Sequence, residues 1–199
     1  MNTTNRIQIA APFERLFALA ADIVRWPDVL PHYRYVKILK QSNVQGPKSK
    51  VTIDNSDRQP PTLDSGPRTL DSGLWTVVAE MAARHRGIPL WWRTIQRPKP
   101  SERRIEFTHI AGITKGMEVQ WTFDEVGNSC GGPVWLVQIH HQFSPPWTAI
   151  GRRLADQIIG KMFVFEVANK TLKKMKEISE QPLAREPVTA KRANGPTVL

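Results

Sequence analysis

Gln96, His109 and His141 each lie in a segment that alternates apolar and polar residues, as strands with one buried face do. Each of the three falls in the apolar phase of its segment, so we expect its side chain to point inward. There it could hydrogen-bond a carbonyl or a phenol of a bound molecule. A buried histidine, whose surroundings set its pKa, could also act as general acid or base in an aldol step. The alternative, in which each histidine is satisfied by a partner in the core, stays open.

A fourth polar residue interrupts the apolar face of the C-terminal segment, residues 144–180. Apolar residues recur there at helical spacing and predict one long helix of about 50 Å, at 1.5 Å per residue. We expect Ile158, Met162 and Phe165 to line the space between this helix and the strands. Asn169 falls on the same face, where it either contacts a bound molecule or bonds a neighbouring backbone group.

Sequence patterns of metal and cofactor sites are absent. His140 and His141 are adjacent, so in a strand they point to opposite faces, and no third ligand is spaced with either. Cys130 is the single cysteine, which excludes an internal disulfide and a cysteine metal site and fits a reducing compartment. No phosphate loop, nucleophile elbow or redox motif occurs. We expect neither a metal nor a cofactor.

A sheet and a long helix must position these residues. A strand over residues 5–10 precedes one or two short helices between residues 12 and 31. About six further strands follow, joined by short turns that favour an antiparallel meander. The pattern predicts an α+β fold, in which a curved antiparallel sheet of about six or seven strands wraps around the C-terminal helix.

The chain is interpreted as one domain over residues 1–180. Residues 41–73 are rich in Ser, Pro, Asp and Gly and repeat one pentapeptide at 62–66 and 69–73. This composition predicts a mobile insertion, crossed by a short strand at residues 50–53, with a lid over a site as the functional alternative. Residues 181–199 are polar and basic, and predict a disordered tail.

Charge bears on the partners. The net charge is +10, and residues 84–104 contain seven cationic side chains but a single carboxylate. Such a cluster favours an acidic protein, an anionic membrane or nucleic acid, or it is simply a solvated face. Nucleic acid is disfavoured, because the tryptophans mostly fall in the core phase rather than among the cations. No run approaches the roughly 18 apolar residues of a membrane span, so we expect a cytoplasmic protein or one peripheral to a membrane.

The segment AAPFERLFALAADIVRWPDVLPHYRYVKIL, residues 10–39, resembles the opening of the START-like, helix-grip (SRPBCC) superfamily. The long final helix is similar as well, and the resemblance covers residues 5–180 apart from the insertion. The sequence looks most like the bacterial polyketide aromatase/cyclases and the coenzyme Q-binding proteins. The resemblance implies the helix-grip fold, and it implies less about function because this fold hosts many activities.

The resemblance also implies which residues line a pocket. Trp26 and Tyr33 fall where aromatase/cyclases have pocket aromatics, and Asn169 resembles a pocket asparagine of their final helix. One strand of the family presents Trp, Ser and Arg to the pocket, and the matching positions here are Trp92, Thr94 and Gln96. The family's arginine is implicated in catalysis, so the neutral Gln96 weakens the expectation of cyclisation.

Phe107 and Trp121 occupy the inward phase of their strands and complete the predicted ligand-binding set. Two hypotheses follow for a protein that binds a hydrophobic aromatic, polyketide-like or quinone-like molecule. In the first it is a polyketide cyclase or dehydratase, in which Tyr33, His109 or His141 moves protons and the basic strands dock an acidic acyl carrier protein. In the second it is a non-catalytic lipid or quinone carrier whose basic face touches an anionic membrane.

Overall fold

The computed structural model describes residues 1–43, 75–85, 87–129, 132–143 and 164–181. Several predictions lie outside these residues: the strand at residues 50–53, the insertion from residue 44 onward, the tail beyond residue 181, and the first part of the long helix, residues 144–163.

Seven strands form one antiparallel sheet with the spatial order β1-β7-β6-β5-β4-β3-β2, which confirms the predicted sheet. The strands are β1 (Asn2–Ala10), β2 (Tyr33–Asn43), β3 (Trp75–His85), β4 (Ile88–Lys99), β5 (Arg104–Gly112), β6 (Met117–Ser129) and β7 (Gly132–Phe143).

Strand β6 shows why these segments are strands. Met117, Val119, Trp121 and Phe123 are buried on one face, and the residues between them are exposed or half-buried. The alternation therefore sets which face covers the core. Irregular register marks bulges in β2, β5 and β6, which bend a sheet and increase its twist.

Strand β2 is longer than predicted. Gln41 pairs with Val77 and Ser42 with Thr76, so residues 41–43 belong to the sheet rather than to the insertion. Their polar composition is compatible with an edge strand, since β3 is the single neighbour of β2 among the described strands.

Three described helices accompany the sheet: α1 (Phe13–Ala21), α2 (Trp26–Val29) and α3 (Phe165–Ser179), with a 3-10 turn at Ile23–Arg25. Helix α2 begins at Trp26 and has Pro27 as its second residue. Pro27 is tolerated because it lies in the first turn, where a missing N–H leaves no bond unmade. Among the described residues, no helix is long and apolar enough to cross a membrane.

Polar contacts fasten α3 to β1 and α1 at one edge of the sheet. Lys176 Nζ donates to the Gln8 carbonyl at 2.7 Å, and Glu180 Oε1 accepts from the Ala10 N–H at 2.9 Å. Arg15 donates to the Ile178 carbonyl at 2.8 Å and so satisfies a free carbonyl of the last helical turn. These contacts fix both the position of the helix and its rotation over the sheet.

Candidate functional site

A cavity of about 70 Å³ lies between α3 and the inner face of the sheet. Side chains from α2, α3 and strands β2 to β7 line it, and none of its described lining residues carries a carboxylate, an ammonium or a guanidinium group. The polar side chains in the lining are Tyr33, His109, Thr114, His141 and Thr171.

Aromatic rings make up much of the cavity wall. The Trp26 ring centroid lies 5.1 Å from that of Tyr33 and 5.9 Å from that of Trp121, and Phe107 is 6.1 Å from Trp26. The Nε1–H of Trp26 donates to the Leu19 carbonyl at 3.2 Å, so its polar group is already satisfied. Trp92 is the fifth ring of this group, and its centroid lies 6.1 Å from that of Tyr33. The structure thus brings together at the cavity five of the six Phe, Tyr and Trp residues of the predicted ligand-binding and catalytic sets.

His109 and His141 reach the cavity from β5 and β7. The Nδ1 of His109 lies 2.7 Å from the Thr114 hydroxyl, and its ring stacks on Trp92 with centroids 5.8 Å apart. Burial lowers the pKa of His109 to about 3, with a smaller effect from the neighbouring His141. Burial likewise lowers the pKa of His141 to about 4, and His140 adds to this effect. Both cavity histidines are therefore neutral near neutral pH.

His141 also holds a buried ring nitrogen, Nδ1, without a hydrogen-bond partner. His109 has the core partner that the alternative interpretation required, since Thr114 satisfies one of its nitrogens. The two histidines thus differ: one is fixed by the hairpin between β5 and β6, and the other keeps unused hydrogen-bonding capacity.

Tyr33 presents a protonated hydroxyl to the cavity. Burial raises its pKa well above the usual value, and a hydrogen bond with the Thr171 side chain partly offsets this shift. The Thr171 hydroxyl also lies 3.0 Å from His32 Nε2. Sequence reasoning missed His32, Thr114 and Thr171. For Thr171 a signal existed, because it follows Ala168 by three residues on the buried face of the helix.

Gln96 and Thr94 are buried as predicted, yet neither lies among the described residues that line the cavity. Gln96 Nε2 donates to the carbonyl of Ala21, at the end of α1, at 2.9 Å. Thr94 Oγ1 donates to the Thr108 carbonyl at 3.3 Å. These polar groups satisfy carbonyls of the protein itself, so the structure does not bring either residue to the described cavity wall, where a ligand contact was predicted.

Two of the four residues predicted to contact a ligand from the C-terminal helix are described, and the structure brings neither to the cavity wall. Phe165 is 45% exposed, because the buried face of the helix runs through Val164, Ala168, Thr171 and Leu172. Asn169 Oδ1 accepts a hydrogen bond from Asn5 Nδ2 at 2.8 Å, so this asparagine binds the sheet instead of the cavity. Ile158 and Met162 lie outside the described residues.

The predicted basic cluster is partly neutralised on the outer face of the sheet. Arg93 pairs with Glu80 at 2.8 Å and Lys99 with Glu106 at 2.9 Å. Arg104 contacts Glu106 at 3.1 Å and also pairs with Glu102. Three of the seven cations therefore have carboxylate partners here, besides the weak contact of Arg103 with Glu125 at 3.9 Å.

No cluster of three or more metal-ligating side chains occurs in the part of the chain that the structure describes. The site is a mostly apolar cavity with a few neutral hydrogen-bonding groups, the arrangement typical of small-molecule binding.

A seven-stranded antiparallel sheet that holds a C-terminal helix over an inner cavity defines the START-like, helix-grip class of proteins. The sequence model of the family described as polyketide cyclase / dehydrase and lipid transport matches residues 9–175, and the chain belongs to this family.

Solved structures share the fold at low sequence identity. The aromatase/cyclase Zhui from a Streptomyces species is similar with a TM-score of 0.63 and 14% identity, over 90% of this chain and 93% of that one. A Thermus thermophilus protein gives a TM-score of 0.57 and 16% identity, over 89% and 95% of the two chains. A START superfamily protein from Mycobacterium smegmatis gives 0.57 and 12%, over 90% and 97%. Among curated protein sequences no match is found.

Proposed function

We propose that this protein binds an uncharged, hydrophobic aromatic or polyketide-like small molecule in the cavity between α3 and the sheet. The observation that carries the proposal is the composition of the cavity wall. Its aromatic rings offer flat apolar surfaces, and its described polar groups are hydroxyls and imidazoles without a formal charge near neutral pH.

The wall also disfavours anionic ligands. A carboxylate that leaves water for an apolar site without a cationic partner loses several kcal/mol of hydration free energy. None of the described lining residues offers a cation to compensate this loss, since the pKa values of His109 and His141 lie near 3 and 4. We therefore expect neutral phenols and ketones, rather than fatty acids, to bind.

The cavity volume limits the size of the first ligands to consider. Its 70 Å³ lies below the roughly 300 Å³ at which pockets for drug-sized ligands begin. Met81 and Met117 are part of the wall, and methionine side chains readily change rotamer to suit a new neighbour. One- or two-ring compounds need the least rearrangement, and a polycyclic ligand requires these side chains to move.

Binding without catalysis is the function that the electrostatics supports best. A general base works best when its pKa lies near the working pH, and the pKa values of His109 and His141 lie far below neutrality. Gln96 supplies no charge either, because an amide does not ionise, and its Nε2 donates to the Ala21 carbonyl. These observations favour the carrier hypothesis over proton-transfer chemistry in the unliganded protein.

Cyclase activity is the second candidate. The aromatic residues at the positions of Trp26, Tyr33 and Trp92 support it, as does the likeness to an aromatase/cyclase. In this proposal a carbonyl of a bound polyketide accepts a hydrogen bond from protonated Nδ1 of His141, which is unpartnered in the free protein, and so raises the pKa of His141. An acidic acyl carrier protein would then be the source of the ligand, whereas the carrier hypothesis would take it from an anionic membrane.

A matched pair of ligands tests the binding proposal. Calorimetry should show that 2-naphthol binds at least about tenfold more tightly than 2-naphthoate, because only the second buries a charge. Ala168 lines the cavity, so Ala168→Leu should fill it and abolish binding, whereas Ala168→Ser should retain binding. Equal affinity for the two ligands, or full binding by a folded Ala168→Leu variant, would contradict the proposal.

A further inference from the structure

The hydroxyl of Thr171 stands between two other polar groups. It lies 3.0 Å from Nε2 of His32 on one side and within hydrogen-bonding reach of the Tyr33 hydroxyl on the other. Thr171 is 1% exposed, so water does not compete freely for these bonds. The His32 and Tyr33 rings also pack together with centroids 4.8 Å apart, which keeps the three groups in register.

The hydroxyl hydrogens in this chain can be arranged in two ways. A threonine hydroxyl donates one hydrogen bond and accepts up to two. In one arrangement His32 Nε2–H donates to Thr171, Thr171 donates to Tyr33, and the hydrogen of Tyr33 is left for the cavity. In the other, Tyr33 donates to Thr171, Thr171 donates to the lone pair of His32 Nε2, and a lone pair of Tyr33 is left for the cavity.

His32 can support both arrangements because it is neutral near neutral pH. Its partial burial lowers its pKa to about 4, and the positive charge of Lys170 adds to this effect. A neutral imidazole carries its single hydrogen on either ring nitrogen. The tautomer with hydrogen on Nε2 fits the first arrangement, and the tautomer with hydrogen on Nδ1 fits the second.

We propose that His32 and Thr171 are positioning residues that let Tyr33 either donate to a ligand carbonyl or accept from a ligand hydroxyl. The cavity then takes both members of a pair of aromatic compounds that differ only by carbonyl or hydroxyl at one position, such as a ketone and its alcohol. This inference rests on the proposed function, since it assigns a ligand class to the same cavity. The bound ligand determines which tautomer of His32 is populated. His32 lies outside the described cavity lining, and its tautomer ratio indicates whether a ligand carbonyl or a ligand hydroxyl contacts Tyr33.

The hydrogen-bond chain from His32 through Thr171 to Tyr33 is tested without a ligand. Selective ¹⁵N labelling of histidine allows NMR to measure the ratio of the two His32 tautomers. Tyr33→Phe removes only the hydroxyl and keeps the packed ring, so the ratio should change by about two- to tenfold, the range that one net hydrogen bond supplies. The control is Tyr35→Phe, whose hydroxyl bonds Glu80 on the exposed side of the sheet, and it should leave the ratio unchanged. An unchanged ratio in Tyr33→Phe overturns the proposal.

Thr171→Val removes the hydroxyl between His32 and Tyr33. In this variant, adding Tyr33→Phe should no longer change the His32 tautomer ratio. If the valine variant does not fold, Thr171→Ser, which keeps the hydroxyl, should behave as the wild type, and Tyr33→Phe in that background should again shift the ratio. If Tyr33→Phe leaves the His32 tautomer ratio unchanged in the Thr171→Ser background, the proposed hydrogen-bond chain is overturned.

The ligand arm compares 1-indanone, which only accepts hydrogen bonds, with indane, which makes none. Bound indanone should raise the share of the Nε2–H tautomer of His32 by about two- to tenfold. Bound indane should not, and neither should indanone in Thr171→Val. Indanone that binds without moving His32 overturns this inference and leaves the proposed function intact. If neither compound binds, the proposed function fails together with the ligand assignment, and the ligand-free comparison still decides whether the chain exists.

Discussion

Asn5 and Asn169 form the polar contact that joins the first strand to the last helix. Asn5 is 2% exposed, and its Nδ2 donates both to Asn169 Oδ1 at 2.8 Å and to the Phe165 carbonyl at 3.2 Å. The sequence is compatible with Asn169 contacting either a bound ligand or another part of the protein, and the structure favours the second. A buried amide that loses its partner costs free energy, so this pair contributes to the stability of the domain.

Replacing Asn169 should therefore affect stability more than binding. We expect Asn169→Leu to lower the free energy of unfolding by about 1–3 kcal/mol, because the Asn5 amide loses an acceptor. Urea unfolding measures this, and the affinity for 2-naphthol should stay within about twofold. The double variant Asn5→Leu/Asn169→Leu should lose less than the sum of the single variants. Additive losses, or a folded Asn169→Leu with weakened binding, would show a different role.

At the residue scale, the sequence predicted which strand side chains point to the inner face of the sheet. It did not predict which groups those side chains contact. Strand alternation correctly placed Gln96, His109 and His141 inward. It could not show that Gln96 satisfies the carbonyl of Ala21, 75 residues away in the chain. Such a partner depends on how α1 packs against β4, which only the tertiary structure determines.

The hairpin between β5 and β6 is the element that holds the histidine side of the cavity. It carries His109 and Thr114, and it turns close to β4 at Gly112, which has a φ of 84°. A Cβ on Gly112 would lie 2.3 Å from the Trp91 carbonyl oxygen, which no rotamer relieves. The hairpin can approach β4 this closely because position 112 has no side chain.

Two glycines of this hairpin make a matched comparison. Gly116 has a φ of 88°, and a Cβ added to it would meet no described atom within 4 Å, so Gly116→Ala should lose only about 1–2 kcal/mol, the cost of a left-handed backbone. Gly112→Ala adds a backbone clash to the same conformational penalty, and should lose at least about 2 kcal/mol more. Thermal or urea unfolding of both variants measures the difference. Similar losses would mean that Gly112 is not tightly packed.

Helix α3 shows what periodicity leaves undetermined. Val164 and Phe165 are both apolar neighbours in the sequence, so two helical faces offset by one residue fitted the pattern. The contacts of Asn5, Lys176 and Arg15 with the helix fix its rotation, and they bury Val164 while leaving Phe165 exposed. These contacts join distant parts of the chain, and no local pattern predicts them.

For the whole molecule, the buried histidines make stability depend on pH. An unfolded histidine has a pKa near 6.5, whereas the pKa values of His109 and His141 are about 3 and 4 in the folded protein. As the pH falls below 6.5 the unfolded state takes up protons that the folded state cannot, so the free energy of unfolding should decrease. The stability from these residues is thus fully present above the unfolded pKa and declines toward pH 4.

Each of the two residues should contribute a slope of up to about 1.4 kcal/mol per pH unit within this window. Urea unfolding between pH 7 and pH 4.5 measures the slope, and His141→Gln should reduce it because glutamine does not titrate. His109→Gln should reduce it as well. Slopes that stay the same in both folded variants would contradict the burial of neutral histidines.

The architecture as a whole was predictable, because the order of strands and helices and the short turns between strands allow few topologies. The size of the cavity was not predictable. It depends on how the rings of Trp26, Tyr33 and Trp121 fill the space under α3, and alternation reveals only that these residues point inward.

The central claim is that an uncharged aromatic molecule binds inside this cavity. Methionine methyl groups allow a direct test, since Met81 and Met117 line the cavity, whereas Met175 is buried in the core and does not. With ¹³C-methyl methionine, saturating 2-naphthol should give intermolecular NOEs to Met81 and Met117 and none to Met175. Binding without NOEs to Met81 or Met117, or no binding at all, would contradict the account.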